Sequence, residues 1–193
     1  MLVLGLDVST SAIGWCFAEH SSQGSYRIEP KKAGFIDLKK YVGYINKTNA
    51  AVLEFEKLFK DNGMPDIIQI EDSLQNYKFG STSVNVIITL ARFNGIITYI
   101  LYRMTKLFPN HIHPVTARKR AWGSSFSQFK KEHKKAAILA AVYKKYPTLL
   151  DGFPMRPRAG GFRNEVFDMA DAVTLAVCIP DVKINNSGEE DDA

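Results

Sequence analysis

The chain has 193 residues, 46% of them hydrophobic, and a formal net charge of +5. That length suits one domain with a sizeable core, and no apolar run reaches the ~20 uncharged residues of a membrane span, so a membrane protein is not expected. Residues 188–193 carry four acids and no base; the body is therefore more basic than the net figure, which suits a polyanion partner.

Residues 3–7 read as a first strand, an apolar run closed by Asp7, and residues 12–19 as a second, with the hydroxyl-rich Ser9-Thr10-Ser11 turn between them. Gly14 in the second strand permits a bend or a close backbone approach. A third strand is expected within residues 26–38, interrupted by Pro30. Residues 41–61 follow the 3.6 period of an amphipathic helix, ended by Asn62-Gly63 with Pro65 beyond. A fourth, mostly apolar strand spans residues 67–71 and ends on Glu71. Residues 72–83 form a polar loop carrying Tyr77 and Phe79, and residues 84–106 a long helix that is apolar nearly all round and so needs cover on more than one side. The sheet supplies one cover; a second subunit is a candidate for the other, with Gly95 either admitting another backbone or fitting against its own sheet. A fifth strand is expected at 111–115, a basic helical turn from 116, a helix at 130–146, a loop at 151–163 and a last helix at 165–178 capped by Asn164. Strands first, then alternating helix and strand, describe one α/β domain over residues 1–180, with 181–193 as an acidic and disordered tail. No basic segment precedes an apolar one at the N-terminus, so no signal peptide is expected. Cys16 and Cys178 are far apart and lack zinc spacing, which fits a reducing intracellular compartment.

Four acids stand in unusual places. Asp7 and Glu71 each close an apolar strand, and Asp168 and Asp171, three apart, share one face of an apolar helix. Taken singly, each has an ordinary explanation: Asp7 caps its own turn, Glu71 pairs with a lysine, and the two helical aspartates face water. Together, like charges in apolar surroundings raise one another's pKa unless a cation neutralises them. Hard divalent cations take such oxygen ligands, and two of them at one site can activate a water and stabilise the leaving oxygen of a phosphodiester.

At these residues the sequence resembles a known family. Gly5-Leu6-Asp7 with Gly14-Trp15, then Ile70-Glu71, then Asp168-Met169-Ala170-Asp171-Ala172 are similar to the motifs of RuvC-type Holliday-junction resolvases, within the RNase H-like (retroviral integrase) nuclease superfamily. The order covers the chain to about residue 177, and the terminal Asp-x-x-Asp-Ala is the most specific part. The resemblance implies an RNase H-like fold, a five-stranded mixed sheet flanked by helices. It also implies two Mg²⁺ ions per site (Mn²⁺ substituting), a homodimer using the long helix around Thr89 to Gly95, and paired nicks in four-way DNA. The first turn, Val8-Ser9-Thr10, departs from the Pro-Gly or Pro-Ser of many relatives, and the 151–163 loop and acidic tail lengthen the chain, as a viral or phage version would.

Between Arg118 and Lys135 lie seven basic residues (Arg118, Lys119, Arg120, Lys130, Lys131, Lys134 and Lys135) and one acid, Glu132, interleaved with Trp122, Phe126 and Phe129. Such residues neutralise phosphates without reading sequence. By resemblance, Lys119 and one of Lys134 and Lys135 approach the scissile phosphate; the spacing to Ile138 favours Lys135. Tyr77 or Phe79 either stacks on a junction base or tucks under its loop. His111 and His113 lack a third metal ligand and are expected to be satisfied locally. Three other readings remain open: a nuclease for RNA or other branched DNA, an actin-like ATPase domain suggested by Gly5-Leu6-Asp7-Val8-Ser9-Thr10, and a non-catalytic DNA-binding module. The ATPase needs two such domains and a second phosphate loop, which are not seen here.

Overall fold

The computed structural model describes residues 1–21, 27–72, 84–124, 126, 131–150 and 163–178. Tyr77, Phe79, Lys130, Phe129, most of the 151–163 loop and the acidic tail lie outside the described residues, as do the side chains of Lys131 and Lys134. Strands β1 (Leu2–Val8), β2 (Ala12–Ser21) and β3 (Arg27–Asp37) form an antiparallel meander, followed by helix α1 (Gly43–Asn62) and strand β4 (Ile67–Glu71). Then come α2 (Val84–Thr105), β5 (Asn110–Ile112), α3 (Pro114–Trp122), α4 (Lys131–Lys145), a 3-10 turn (Pro147–Leu150) and α5 (Asn164–Val177). The five strands make one mixed sheet in the order β3-β2-β1-β4-β5. β4 runs parallel to both β1 and β5, the arrangement that helical crossovers allow.

β1 is the central strand and is apolar on both faces, as a strand covered on both sides must be. Its alternation sorts the molecule into layers. Leu4, Leu6 and Val8, with Ile13, Phe17, Ile68 and Ile70, face α1 and α2, where Phe55, Phe59, Phe93, Ile97 and Leu101 close the larger core. Full burial of each such side chain contributes about 1.5–3 kcal/mol. On the opposite face Cys16 and Ala18 meet Ile138, Val142, Val166 and Val173 of α4 and α5. The period of two puts Gly5 and Asp7 of β1, Gly14 of β2 and Gln69 and Glu71 of β4 on this second face.

Only glycine lets α5 lie so close to the sheet. A Cβ on Gly5 would sit 2.5 Å from the Ala176 amide nitrogen, and one on Gly14 would sit 2.9 Å from that of Met169, both nearer than real Cβ atoms approach.

Beyond shifts of a residue or two at several element ends, three departures from the sequence reading have a local physical cause. β3 is continuous through Pro30 because β3 is an edge strand, where a missing N–H is tolerated, and the register shifts opposite it between Phe17 and Ala18. β5 stops at Ile112 because Pro114 takes the first position of α3 and His113 Nδ1 caps that helix by accepting the Val115 N–H at 3.3 Å. At α5 the N-cap is Arg163, without a side-chain cap bond, and Asn164 is already helical.

α2 is long and apolar enough to cross a bilayer by length and composition, yet Phe93, Ile97 and Leu101 are buried in the core against the sheet. Val84, Ile88, Tyr99 and Tyr102 share an exposed stripe on α2. Gly95 lies on that stripe, with nothing among the described residues within 4 Å of its would-be Cβ, so it does not serve packing against its own sheet.

Gly5→Ala is expected to lower the free energy of unfolding in urea by about 1–3 kcal/mol, since the added methyl must push the α5 backbone away; unchanged stability would contradict this packing.

Candidate active site

Asp7, one residue before the end of β1, and Glu71, the last residue of β4, stand at the same end of these two adjacent parallel strands, on the face that α5 covers. α5 brings Asp171, 5% exposed, and Asp168 over the same strand ends. One carboxylate oxygen from each of Asp7, Glu71 and Asp171 lies within 4.8 Å of the others. Asp168 stands beside this trio, with Lys135 Nζ 3.8 Å from its Oδ1. Arg118 Nη2 donates to Asp171 Oδ1 at 3.3 Å. Behind Glu71, the buried Asn94 donates its Nδ2 hydrogen to the Glu71 backbone carbonyl at 3.0 Å, and Thr98 in turn donates to the Asn94 carbonyl at 2.8 Å, which secures the end of β4.

The turn after β1 does not use Asp7. The Ser9 hydroxyl accepts the Ala12 N–H at 3.0 Å and donates to the Ala12 carbonyl at 2.8 Å. A serine thus does the work that the turn-capping reading assigned to Asp7, and the aspartate is left among acids.

The electrostatics follow from this crowding. Burial, then the charges of Glu71, Asp171 and Asp168, holds the Asp7 carboxyl well above the ordinary carboxylate range, with Lys135 pulling the other way. Burial first and Asp171 next push Glu71 up to about 7. Asp168 is raised to about 6 by burial, moderated by Lys135, and Asp171 is raised by burial against the pull of Arg118 and Lys135. Carboxyls that retain protons this strongly lack positive charge, and an all-oxygen donor set of this kind suits a hard divalent cation.

Of the basic residues singled out in the sequence, the structure brings Arg118 and Lys135 to the carboxylates. Lys119 and Arg120 are exposed on α3, so the cation of this helix that reaches the acids is Arg118 rather than its neighbour. Trp122 donates its Nε1 hydrogen to Thr174 Oγ1 at 2.9 Å and packs with Phe126 and Tyr146 on the smaller core; these aromatics interleave with bases because they face inward. His111 Nε2 lies 3.2 Å from Thr98 Oγ1, and His113 caps α3, so both have local partners. Sequence reasoning missed Glu165, buried one turn before Asp168 and paired with Lys39 and Arg163. Its i−3 spacing to Asp168 was a usable signal, whereas nothing local marked Lys39.

Raised carboxyls make the metal-free protein bind more protons folded than unfolded over the interval from ordinary carboxyl values near 4 to about 7. This contribution is complete below that interval and is lost as pH rises through it. In EDTA the Tm is expected to be lower at about pH 8 than at about pH 5, with Mg²⁺ or Mn²⁺ raising it most at the higher pH, where protons no longer compete. Thermal denaturation monitored by circular dichroism checks both signs.

No protein-family model matches the chain, and no curated protein matches it. Solved structures do. Thermus thermophilus RuvC in complex with a Holliday junction substrate superposes with a TM-score of 0.60 at 12% identity over 92% of each chain. The yeast mitochondrial Holliday junction resolvase gives 0.58 at 15% identity over 91% of this chain and 75% of its own. The fowlpox virus resolvase, solved with substrate Holliday junction DNA, gives 0.50 at 14% identity over 91% of this chain and 94% of its own. The chain therefore has the RNase H-like fold of the RuvC-type Holliday junction resolvases.

Proposed function

We propose that this protein is a metal-dependent endonuclease that resolves four-way DNA junctions by paired phosphodiester hydrolysis. The observation that carries this reading is the meeting of Asp7, Glu71 and Asp171 within 4.8 Å at the ends of two parallel strands, on a fold shared with resolvases solved on junction DNA. Asp7, on the central strand, is the shared ligand, with Glu71, Asp168 and Asp171 completing the set. Two Mg²⁺ ions held there would supply an activated water and charge stabilisation for the leaving oxygen. Lys135, beside Asp168, offers a fixed cation to the negative charge that develops on the phosphate. Arg118 keeps the Asp171 carboxylate aimed into the cluster. Cleavage leaves a 5′-phosphate and a 3′-hydroxyl.

The exposed stripe Val84, Ile88, Gly95, Tyr99 and Tyr102 of α2 supports a homodimer, which would place two sites on one junction. Cys16 and Cys178, both free and buried, fit work in a reducing intracellular compartment.

Incubation with a labelled mobile junction is expected to yield symmetric nicks that require Mg²⁺ or Mn²⁺. Asp7→Asn should reduce cleavage by more than ~100-fold while junction affinity stays within a few-fold. Wild-type cleavage by that variant would reject the site, and a clear preference for RNA–DNA hybrid over junction would reject the substrate. Ile88→Arg is expected to convert a dimer to monomer in light scattering, since a charge on the stripe cannot be paired when the stripe is covered.

A further inference from the structure

Two charged residues are buried among the described residues, Asp171 and Glu165. Asp171 belongs to the acidic cluster. Glu165, 2% exposed, does not: its Oε1 accepts from Lys39 Nζ and, at 3.2 Å, from Arg163 Nη2. The two cations are far more open, with side chains 51% and 40% exposed. The trio therefore carries one net positive charge and shows solvent its cations while hiding its acid. A buried ion pair is a poor source of stability, because desolvation offsets the attraction. What such a pair does secure is the direction in which a flexible cation is held.

That direction lies beside the acidic cluster. Ala12 pairs with Asp37, and the Leu38 N–H donates to the Ser11 carbonyl at 3.0 Å, so Lys39 leaves β3 at the same end of the sheet where Asp7 closes β1. Asp37 Oδ1 accepts the Lys39 backbone N–H at 2.9 Å, which leaves the ammonium to Glu165. Glu165 precedes Asp168 by one helical turn, and the charges of Lys39 and Glu165 both act on Asp168. A lysine has three donors and an arginine five; with one of each spent on Glu165, the others suit the oxygens of a phosphodiester.

We propose that Lys39 and Arg163 form a backbone-phosphate site for the DNA strand next to the acidic cluster, with Glu165 as the positioning residue that holds them. This rests on the nuclease reading above. The site fixes where the duplex arm lies against the protein and reads no base.

The test is junction binding by fluorescence anisotropy over a salt series, in the Asp7→Asn background so that the junction stays intact. Lys39→Gln is expected to weaken affinity several-fold and to reduce the salt slope by about 0.9, the contribution of one phosphate contact. Arg163→Gln should do the same independently, and Lys39→Arg should keep the slope. Glu165→Gln discriminates further. Removing an acid ought to tighten DNA binding if only net charge mattered; loss of the anchor should weaken it, at a Tm that shows a folded protein. Unchanged slopes for both cation variants, or tighter binding by Glu165→Gln, would overturn the proposal while leaving the nuclease reading intact. No junction binding by the parent would overturn both.

Discussion

The structure depends on how closely α5 lies on the sheet. Gly5 and Gly14 present no Cβ on that face, and the α5 backbone at Ala172, Ala176, Asp168 and Met169 occupies the space a side chain would need. This contact carries Asp168 and Asp171 to the strand ends where Asp7 and Glu71 stand. Any larger residue at either glycine would lift the helix, and a lift comparable to a carbon–carbon contact would part the carboxylates. The packing that closes the smaller core is thus also what assembles the acidic cluster.

The closeness has an electrostatic consequence. Three carboxylates with oxygens within 4.8 Å, in a partly buried site, repel one another and hold protons above their ordinary values. Among the described basic side chains of α3 and α4, Arg118 and Lys135 reach them, and two monovalent cations do not neutralise four acids. A divalent cation would offset that imbalance, and an all-oxygen donor set suits a hard one.

The two sides of the sheet have different tasks. The α1–α2 side holds the larger core and bears the exposed stripe of α2. The α4–α5 side holds the acids and their cations. Asn94 joins them, since it sits on α2 and yet donates to the backbone carbonyl of Glu71. The end of β4 is therefore set partly from the helix whose other face is open.

Much of this was legible in the chain itself. The apolar runs closed by Asp7 and Glu71, the Asp168–Asp171 spacing and the order of strands and helices were local patterns, and the period of two along β1 and β4 puts both strand-end acids on one face. Local patterns stop at the element boundary. That Arg118 rather than Lys119 meets Asp171, that Ser9 rather than Asp7 closes the first turn, and that Trp122 turns inward to Thr174 depend on how α3 and the turn dock. Lys39 and Glu165 meet across 126 positions, a pairing no periodicity encodes. The sequence by itself determined the elements and which acids they carry, because side-chain periodicity is a property of neighbours along the chain. Tertiary structure alone decided which cations answer those acids, because that choice is made by the depth and register at which α5 and α3 settle on the sheet.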